Sequence, residues 1–96
     1  MATRFEWDES KNEANQAKHG VSFDVAKLVF DDPLAIAFAE RNTEGEERWQ
    51  TWGNAGGATI LVVAHTVTAE ENDEVIRIIS ARKAMPSERK NYEDQP

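Results

Sequence analysis

The stretch TILVVAHT, Thr59 to Thr66, decides the fold. It is nearly continuous in apolar and β-branched residues, which is the pattern of a strand buried on both faces of a sheet. We therefore predict that it is the central strand. The longest apolar run in the chain, Ile60 to Ala64, lies inside it and is far too short to span a membrane, so we expect no membrane partner.

Three further strands are predicted around this central one. Turn-forming stretches, RNTEGEE and NAGGA, and the polar loop AEENDE separate them, and such short connections favour a mostly antiparallel sheet. In the last strand, strict alternation predicts Arg77 on one face and Ser80 and Arg82 on the other. The three strands are LAIAFAE (Leu34 to Glu40), ERWQTWG (Glu47 to Gly53) and EVIRIISAR (Glu74 to Arg82).

Three helices complete the predicted fold. Asp8 is a plausible N-cap for a helix from Glu9 to Lys18, and Gly20 suits its C-terminal end. Ser22 is a plausible cap for a second helix, Phe23 to Phe30, which the following DDP ends. Pro86 suits the first turn of a third helix. The sequence thus predicts one α+β domain over residues 1–96, in the order ααββββα with a four-stranded, mostly antiparallel sheet.

Composition narrows the function classes. The chain has no cysteine, which excludes disulfide scaffolds, cysteine-ligated zinc and thiol chemistry, and is compatible with the cytoplasm. The N-terminus has no signal-peptide pattern. We expect a cytoplasmic protein that uses no cofactor and has no metal ligands. A net charge of -7 argues against general coating of nucleic acid, although a focused basic site remains compatible with it.

Positive charge is concentrated near the C-terminus. The segment from Arg77 to Tyr92 carries five of the eleven Lys and Arg residues and one acidic residue, Glu88. Such polarisation is typical of a protein that binds an anionic substrate at one pole or a basic partner at the other.

Several motifs together resemble one family, the BrnT toxins of bacterial type II toxin–antitoxin pairs. They are FEWDESKNEANQAKHGVSF, DDPLA, GEERWQTWG, LVVAHT and RIISARKA followed by SERKNYE, and they run from Phe5 to Glu93. KHGVSF and the C-terminal motif RIISAR, with ER and YE after it, are the most specific. Their order and spacing make the resemblance strong.

This resemblance implies fold, activity and partners. It implies a RelE-like ribonuclease fold and metal-independent RNA cleavage that arrests translation. It also implies neutralisation by a BrnA-like antitoxin, a ribbon-helix-helix protein, through which the pair would bind operator DNA and repress its own operon.

Metal-independent RNA cleavage needs a base, cations around the phosphate and an acid for the leaving oxygen. Arg82 offers a guanidinium fork for a phosphate, and Lys83 adds a charge beside it. Arg89 and Tyr92 share a helix face, and His65 is a candidate base. Purely structural roles stay open: Arg82 can pair with Glu93 or cap a helix, and Tyr92 can simply cover the sheet. The catalytic candidates are Arg82, Lys83, Tyr92, Arg89 and His65.

RNA-binding candidates lie on two strands. A basic residue beside an aromatic one, as in Arg48 and Trp49, suits stacking of a nucleotide on an open sheet face. Alternation places Arg48, Gln50 and Trp52 on one face and Trp49 on the other, and at least one tryptophan is expected in the core. The RNA-binding candidates are Arg48, Trp49, Arg77 and Ser80.

Two other functions are compatible with the sequence. The chain lacks an obvious general base near its basic segment, which favours a non-catalytic module that binds a protein partner. Direct DNA binding is a weaker alternative, because the net negative charge disfavours operator recognition without a partner.

Overall fold

A computed structural model describes residues 2–40 and 47–95. The predicted turn between the first two predicted strands lies mainly outside these ranges. The elements are, in order, β1 (Thr3–Glu6), α1 (Glu9–His19), α2 (Phe23–Ala26), a 3₁₀ helix (Lys27–Asp31), β2 (Ile36–Ala39), β3 (Trp49–Asn54), β4 (Ile60–Glu70), β5 (Asp73–Lys83) and α3 (Pro86–Glu93).

The strands form one five-stranded mixed sheet in the order β1-β5-β4-β3-β2. Strand β4 lies in the middle, as the apolar run predicts. Strands β2 to β5 pair antiparallel, whereas β1 runs parallel to β5, with Thr3 opposite Glu74 and Glu6 opposite Arg77. The first and last strands in the sequence, β1 and β5, are therefore neighbours in the sheet.

The predicted layout, ααββββα with four strands, is wrong because it omits β1. The segment TRFE is short and half charged, and nothing in its local pattern indicates a strand. Its extended state depends on pairing with a strand about seventy residues further along the chain. Phe5 reinforces this pairing by packing its ring 5.4 Å from that of Phe30.

Two other boundaries differ from prediction. The second helix is split, because α2 ends at Ala26 and the chain continues as the 3₁₀ helix. The loop predicted in AEENDE is mostly strand, since β4 and β5 pair as far as Glu70 opposite Asp73. Glu71, with φ of 56°, helps the chain to reverse there. The result is a long hairpin that forms the middle of the sheet.

The helices α1 and α2 and the 3₁₀ helix cover one face of the sheet. Gly53 allows the 3₁₀ helix to approach β3, because a Cβ atom there would lie 2.7 Å from Cγ1 of Val29. The buried residues of this core are Val21, Phe23, Ala26, Val29, Ala55, Leu61, Val63, Ile76, Ile78 and Ala81. We call this side of the sheet the helix-covered face.

Helix α1 also supports the part of β5 that extends beyond β1. The pairing with β1 ends at Arg77, and the buried side chain of Asn15 meets the strand further along. Its Nδ2 donates to the carbonyl oxygen of Ala81 at 2.8 Å, and its Oδ1 accepts from the backbone N–H of the same residue at 3.1 Å. One side-chain amide thus replaces a pair of hydrogen bonds that a neighbouring strand would make.

A β-bulge in β5 changes which residues share a face. Ala64 pairs with Ser80 and His65 pairs with Ile78, so Ile79 is an extra residue in the strand. Because of it, Arg77 lies on the same face as Ser80 and Arg82, whereas strict alternation predicts the opposite face. That prediction is wrong for this physical reason.

Candidate functional site

The second face of the sheet gathers most of the candidate residues. We call it the outer face, meaning the face turned away from α1 and α2. The strand register arranges its side chains in two rows, each of which crosses from β2 to β5. The first row is Ile36, Trp52, Val62 and Arg82, and the second is Phe38, Gln50, Ala64 and Ser80.

Arg82 ends the first row and is held by Glu88 of α3. Its Nη1 and Nη2 donate to Oε1 and Oε2 of Glu88 at 2.7 and 2.8 Å, a bidentate pair. The hydrogen bonds raise the pKa of Arg82 and lower the pKa of Glu88, against the effect of burial on each. The same Oε1 also accepts from the backbone N–H of Met85 and so caps α3. Arg82 therefore presents a phosphate-binding fork that a carboxylate already occupies.

Two more arginines lie toward the other end of the outer face. Arg77 is partly exposed and pairs with Glu6 of β1 at 3.3 Å. Arg48 is exposed and directly precedes β3, and its carbonyl oxygen accepts from the N–H of Glu40 at 2.8 Å. Backbone alternation places Arg48 on the same face as Gln50. The structure thus brings Arg48, Arg77, Ser80 and Arg82 onto one surface.

Lys83 and Arg89 are the two remaining basic candidates, and both lie near α3. Lys83 is exposed at the end of β5, but it lies opposite the core residue Leu61, so the register places it on the helix-covered face and not beside Arg82. The guanidinium of Arg89 donates to the carbonyl oxygen of Ala58 at 2.7 Å and pairs with Glu93 at 3.2 Å. These contacts give Arg89 a role in fixing α3 across the end of the sheet.

Tyr92 lies at the far end of α3 from Arg82 and is nearly buried. Its hydroxyl donates a short hydrogen bond to Oδ2 of Asp32, and this bond raises the pKa of Tyr92 to about 12. A hydroxyl with so high a pKa is a weak acid at neutral pH. The contact joins α3 to the segment between the 3₁₀ helix and β2.

His65 lies on the helix-covered face and is 3% exposed. The ring of Phe30 packs against it edge-on at 4.8 Å. Nε2 lies 2.7 Å from the hydroxyl of Thr51, and Nδ1 lies 3.4 Å from the carbonyl oxygen of Thr66. Burial lowers the pKa of His65, although the hydrogen bond to Thr66 opposes this effect. The surroundings are those of a neutral core histidine, separated by the sheet from Arg82.

Sequence reasoning chose one tryptophan for RNA binding, and the structure draws attention to another. Trp49 lies opposite His65 in the register and so belongs to the helix-covered face. Trp52 lies on the outer face, where its ring packs 4.9 Å from that of Phe38 and its Nε1 donates to Oε1 of Gln50 at 3.0 Å. The alternation of Gln50, Thr51 and Trp52 already placed Trp52 and Trp49 on opposite faces. The sequence alone did not show which of these faces the helices cover.

Helix α1 adds positive charge beside Ser80. The sequence alone did not single out these basic residues of α1. Lys11, Asn15 and Lys18 follow one another at helical spacing and therefore share one side of α1. That side, with His19, Ile79 and Ser80, lines a shallow hollow between α1 and β5. The hollow continues the basic character of the outer face around the edge of β5.

The described residues also limit what else the surface can hold. Across residues 2–40 and 47–95, no group of three or more His, Asp or Glu side chains is arranged to bind a metal ion. No helix in the same ranges is both long and apolar enough to cross a membrane.

Fold and surface together define a small α+β protein whose sheet carries arginines and aromatic rings on its outer face. The BrnT family, described as the ribonuclease toxin of type II toxin–antitoxin systems, matches residues 7–88. The crystal structure of the Brucella abortus ribonuclease toxin BrnT is similar to this chain, with a TM-score of 0.64 and 26% identity, covering 88% of this chain and 99% of that one. A search of curated proteins finds no match. The chain belongs to the BrnT family of ribonuclease toxins, and membership implies an antitoxin partner.

Proposed function

We propose that this chain is a metal-independent endoribonuclease whose outer face binds the RNA backbone, with Arg82 as the main phosphate ligand. The observation that carries the proposal is the shared face of Arg77, Ser80 and Arg82, which the bulge at Ile79 creates. A bidentate guanidinium is suited to two oxygens of one phosphate. Lys83 follows Arg82 in the sequence but lies on the helix-covered face, so its positive charge acts on this phosphate only at longer range.

Binding would begin with an exchange at Arg82. An RNA phosphate takes the place that the carboxylate of Glu88 holds on the guanidinium, because both are anions with two acceptor oxygens in similar geometry. The 2′-hydroxyl then gives its proton to solvent water, its oxygen attacks phosphorus, and the bond to the 5′-oxygen breaks as that oxygen takes a proton from water. Arg82 stabilises the negative charge that grows on the phosphorane.

The cellular role that we propose follows from the family. Cleavage of RNA in the cytoplasm arrests translation, and a BrnA-like ribbon-helix-helix antitoxin neutralises the toxin. The toxin–antitoxin complex binds operator DNA through the antitoxin. Apart from its basic segment the chain is strongly acidic, so a basic segment of the antitoxin is electrostatically favoured as the contact.

The test uses purified chain freed of its partner and a long RNA in EDTA. We expect cleavage by the native chain, loss of cleavage in Arg82→Ala, and partial activity in Arg82→Lys, which keeps the charge but loses the fork. The matched control is Arg4→Ala. Arg4 lies on the same face and also pairs with carboxylates, Glu70 and Asp73, but it is opposite Val75, about 20 Å from the proposed phosphate site at Arg82 along β5. Equal cleavage by native chain and Arg82→Ala would contradict the proposal.

A non-catalytic protein-binding module is the second candidate. Two observations favour it: Glu88 satisfies the fork of Arg82, and Asp32 accepts the hydroxyl proton of Tyr92. Both candidate groups then serve to fasten α3. Absence of RNA cleavage by the native chain, together with tight binding of its antitoxin, would favour this alternative.

A further inference from the structure

The outer face carries an aromatic pair that the phosphate-binding role of Arg82 does not use. Phe38 of β2 and Trp52 of β3 pack with ring centroids 4.9 Å apart and planes inclined by 57°. Phe38 is 43% exposed, and Trp52 is partly exposed. Large aromatic rings at a protein surface are costly to leave in water, and they suit ligands with flat apolar faces.

The orientation of the indole is fixed before any ligand arrives. Its Nε1 donates to Oε1 of Gln50 at 3.0 Å, and Phe38 packs against the ring. A ring held in this way loses little conformational freedom when a second ring stacks on it. The side-chain amide of Gln50 adjoins the pair and provides donors for the edge of a stacked base.

The position of the pair relative to Arg82 indicates which flat ligand it takes. Trp52, Val62 and Arg82 are successive partners across β3, β4 and β5. Two strand spacings, about 10 Å, therefore separate the backbones of Trp52 and Arg82. Val62 between them is a small residue that its neighbours cover, at 4% exposure, so its own side chain does not project between Trp52 and Arg82. One nucleotide can extend from a base at Trp52 to a phosphate at Arg82.

We propose that Phe38 and Trp52 form a stacking subsite for one unpaired nucleobase of the RNA whose phosphate binds Arg82. This inference rests on the proposed function and adds a substrate requirement. Unpaired bases stack on aromatic side chains, whereas bases within a duplex are already stacked on their neighbours. The enzyme therefore requires single-stranded RNA at the position next to the bound phosphate.

The experiment measures binding of the native chain to single-stranded 2′-O-methyl RNA, which lacks the attacking hydroxyl and stays intact. One position at a time is made abasic. We expect one or two adjacent positions at which loss of the base weakens binding by roughly 5- to 150-fold. In Trp52→Leu, binding is weaker by a similar factor, and the same abasic position no longer matters.

Two control variants accompany Trp52→Leu. Trp52→Phe keeps an aromatic ring and should restore most of the affinity. Leu28→Ala removes an apolar side chain with the same 43% exposure as Phe38, but from the 3₁₀ helix, and should bind as the native chain does. Should Trp52→Leu fail to fold, the abasic scan of the native chain still decides.

The possible failures are distinguishable. A flat abasic scan, with RNA still bound and cleavage still dependent on Arg82, overturns the stacking subsite and leaves the ribonuclease proposal standing. A native chain that neither binds nor cleaves RNA overturns both. Normal RNA binding by Trp52→Leu together with weakened antitoxin binding would assign the aromatic pair to the protein partner and overturn the inference.

Discussion

At the scale of single residues, Asp32 shows how a carboxylate can hold three segments together. It accepts hydrogen bonds from the backbone N–H groups of Leu34 and Asn54 at 2.9 and 2.8 Å, and from the hydroxyl of Tyr92. Burial alone would raise the pKa of Asp32, but the three hydrogen bonds outweigh it and the pKa is lowered. Tyr92 is therefore better suited to anchoring α3 than to giving up a proton at the RNA.

Because Tyr92 is the single tyrosine of the chain, its ionisation can be followed by ultraviolet absorbance. We expect a midpoint near 12 in the native chain, against an ordinary value of 10.0, and a lower midpoint in Asp32→Asn. The raised pKa stabilises the folded state fully below about 10, and this contribution is lost as the pH rises toward 12. Urea unfolding across that window checks the loss. A native midpoint near 10 in the folded chain would contradict the anchoring role.

Residue types and residue roles were predictable to different degrees. Arg82 and Lys83 could be singled out because they end a strand within the basic segment. The partner of Arg82 was not predictable, because Glu88 reaches it only through the angle between β5 and α3. The choice of Trp49 rather than Trp52 for stacking had a similar cause, since sequence alternation separates two faces without showing which one the helices cover.

At the scale of secondary structure, local signals were reliable where they were chemically specific. Asp8 and Ser22 accept the N-cap hydrogen bonds predicted for them, and Gly20 has the left-handed conformation of a C-terminal glycine. Strand β1 and the bulge at Ile79 were not predictable, because each depends on pairing between distant segments. The bulge matters most for function, since it determines which arginines share the outer face.

The contact between Asn15 and β5 is a testable support of that bulged region. In Asn15→Leu, the N–H and carbonyl groups of Ala81 stay buried but lose their partner, and such groups are costly to leave unsatisfied. We expect the free energy of unfolding, measured in urea, to fall by about 2 to 4 kcal/mol. Asn91→Leu makes the same substitution at an exposed helical position and should change stability little. Equal effects of the two variants would show that the amide pairing contributes nothing.

At the scale of the whole molecule, an acidic protein is proposed to bind an acidic polymer. The net charge of -7 repels RNA at long range, so association depends on a small number of close contacts. Among the described residues the outer face supplies four arginines, Arg4, Arg48, Arg77 and Arg82, and three of them already pair with carboxylates. Electrostatic attraction to RNA is therefore weak, whereas the aromatic pair is fixed in place. We expect the protein to select single-stranded over duplex RNA by the shape of an unpaired base more than by charge.

The salt dependence of binding measures how many phosphates the outer face contacts. For single strands, each neutralised phosphate contributes about -0.7 to the slope of log K against log salt concentration, so contacts from Arg48, Arg77 and Arg82 predict a slope near -2. Arg48→Ala should reduce its magnitude by about 0.7. Lys90→Ala removes an exposed lysine of α3 that pairs with Asp94, the residue that follows the helix, and should leave the slope unchanged.

The measurement is a titration of 2′-O-methyl RNA in a series of potassium chloride concentrations. A slope twice as steep would place RNA on a wider basic surface, including the lysines of α1, and a slope of zero would mean that the arginines of the outer face do not contact phosphate at all.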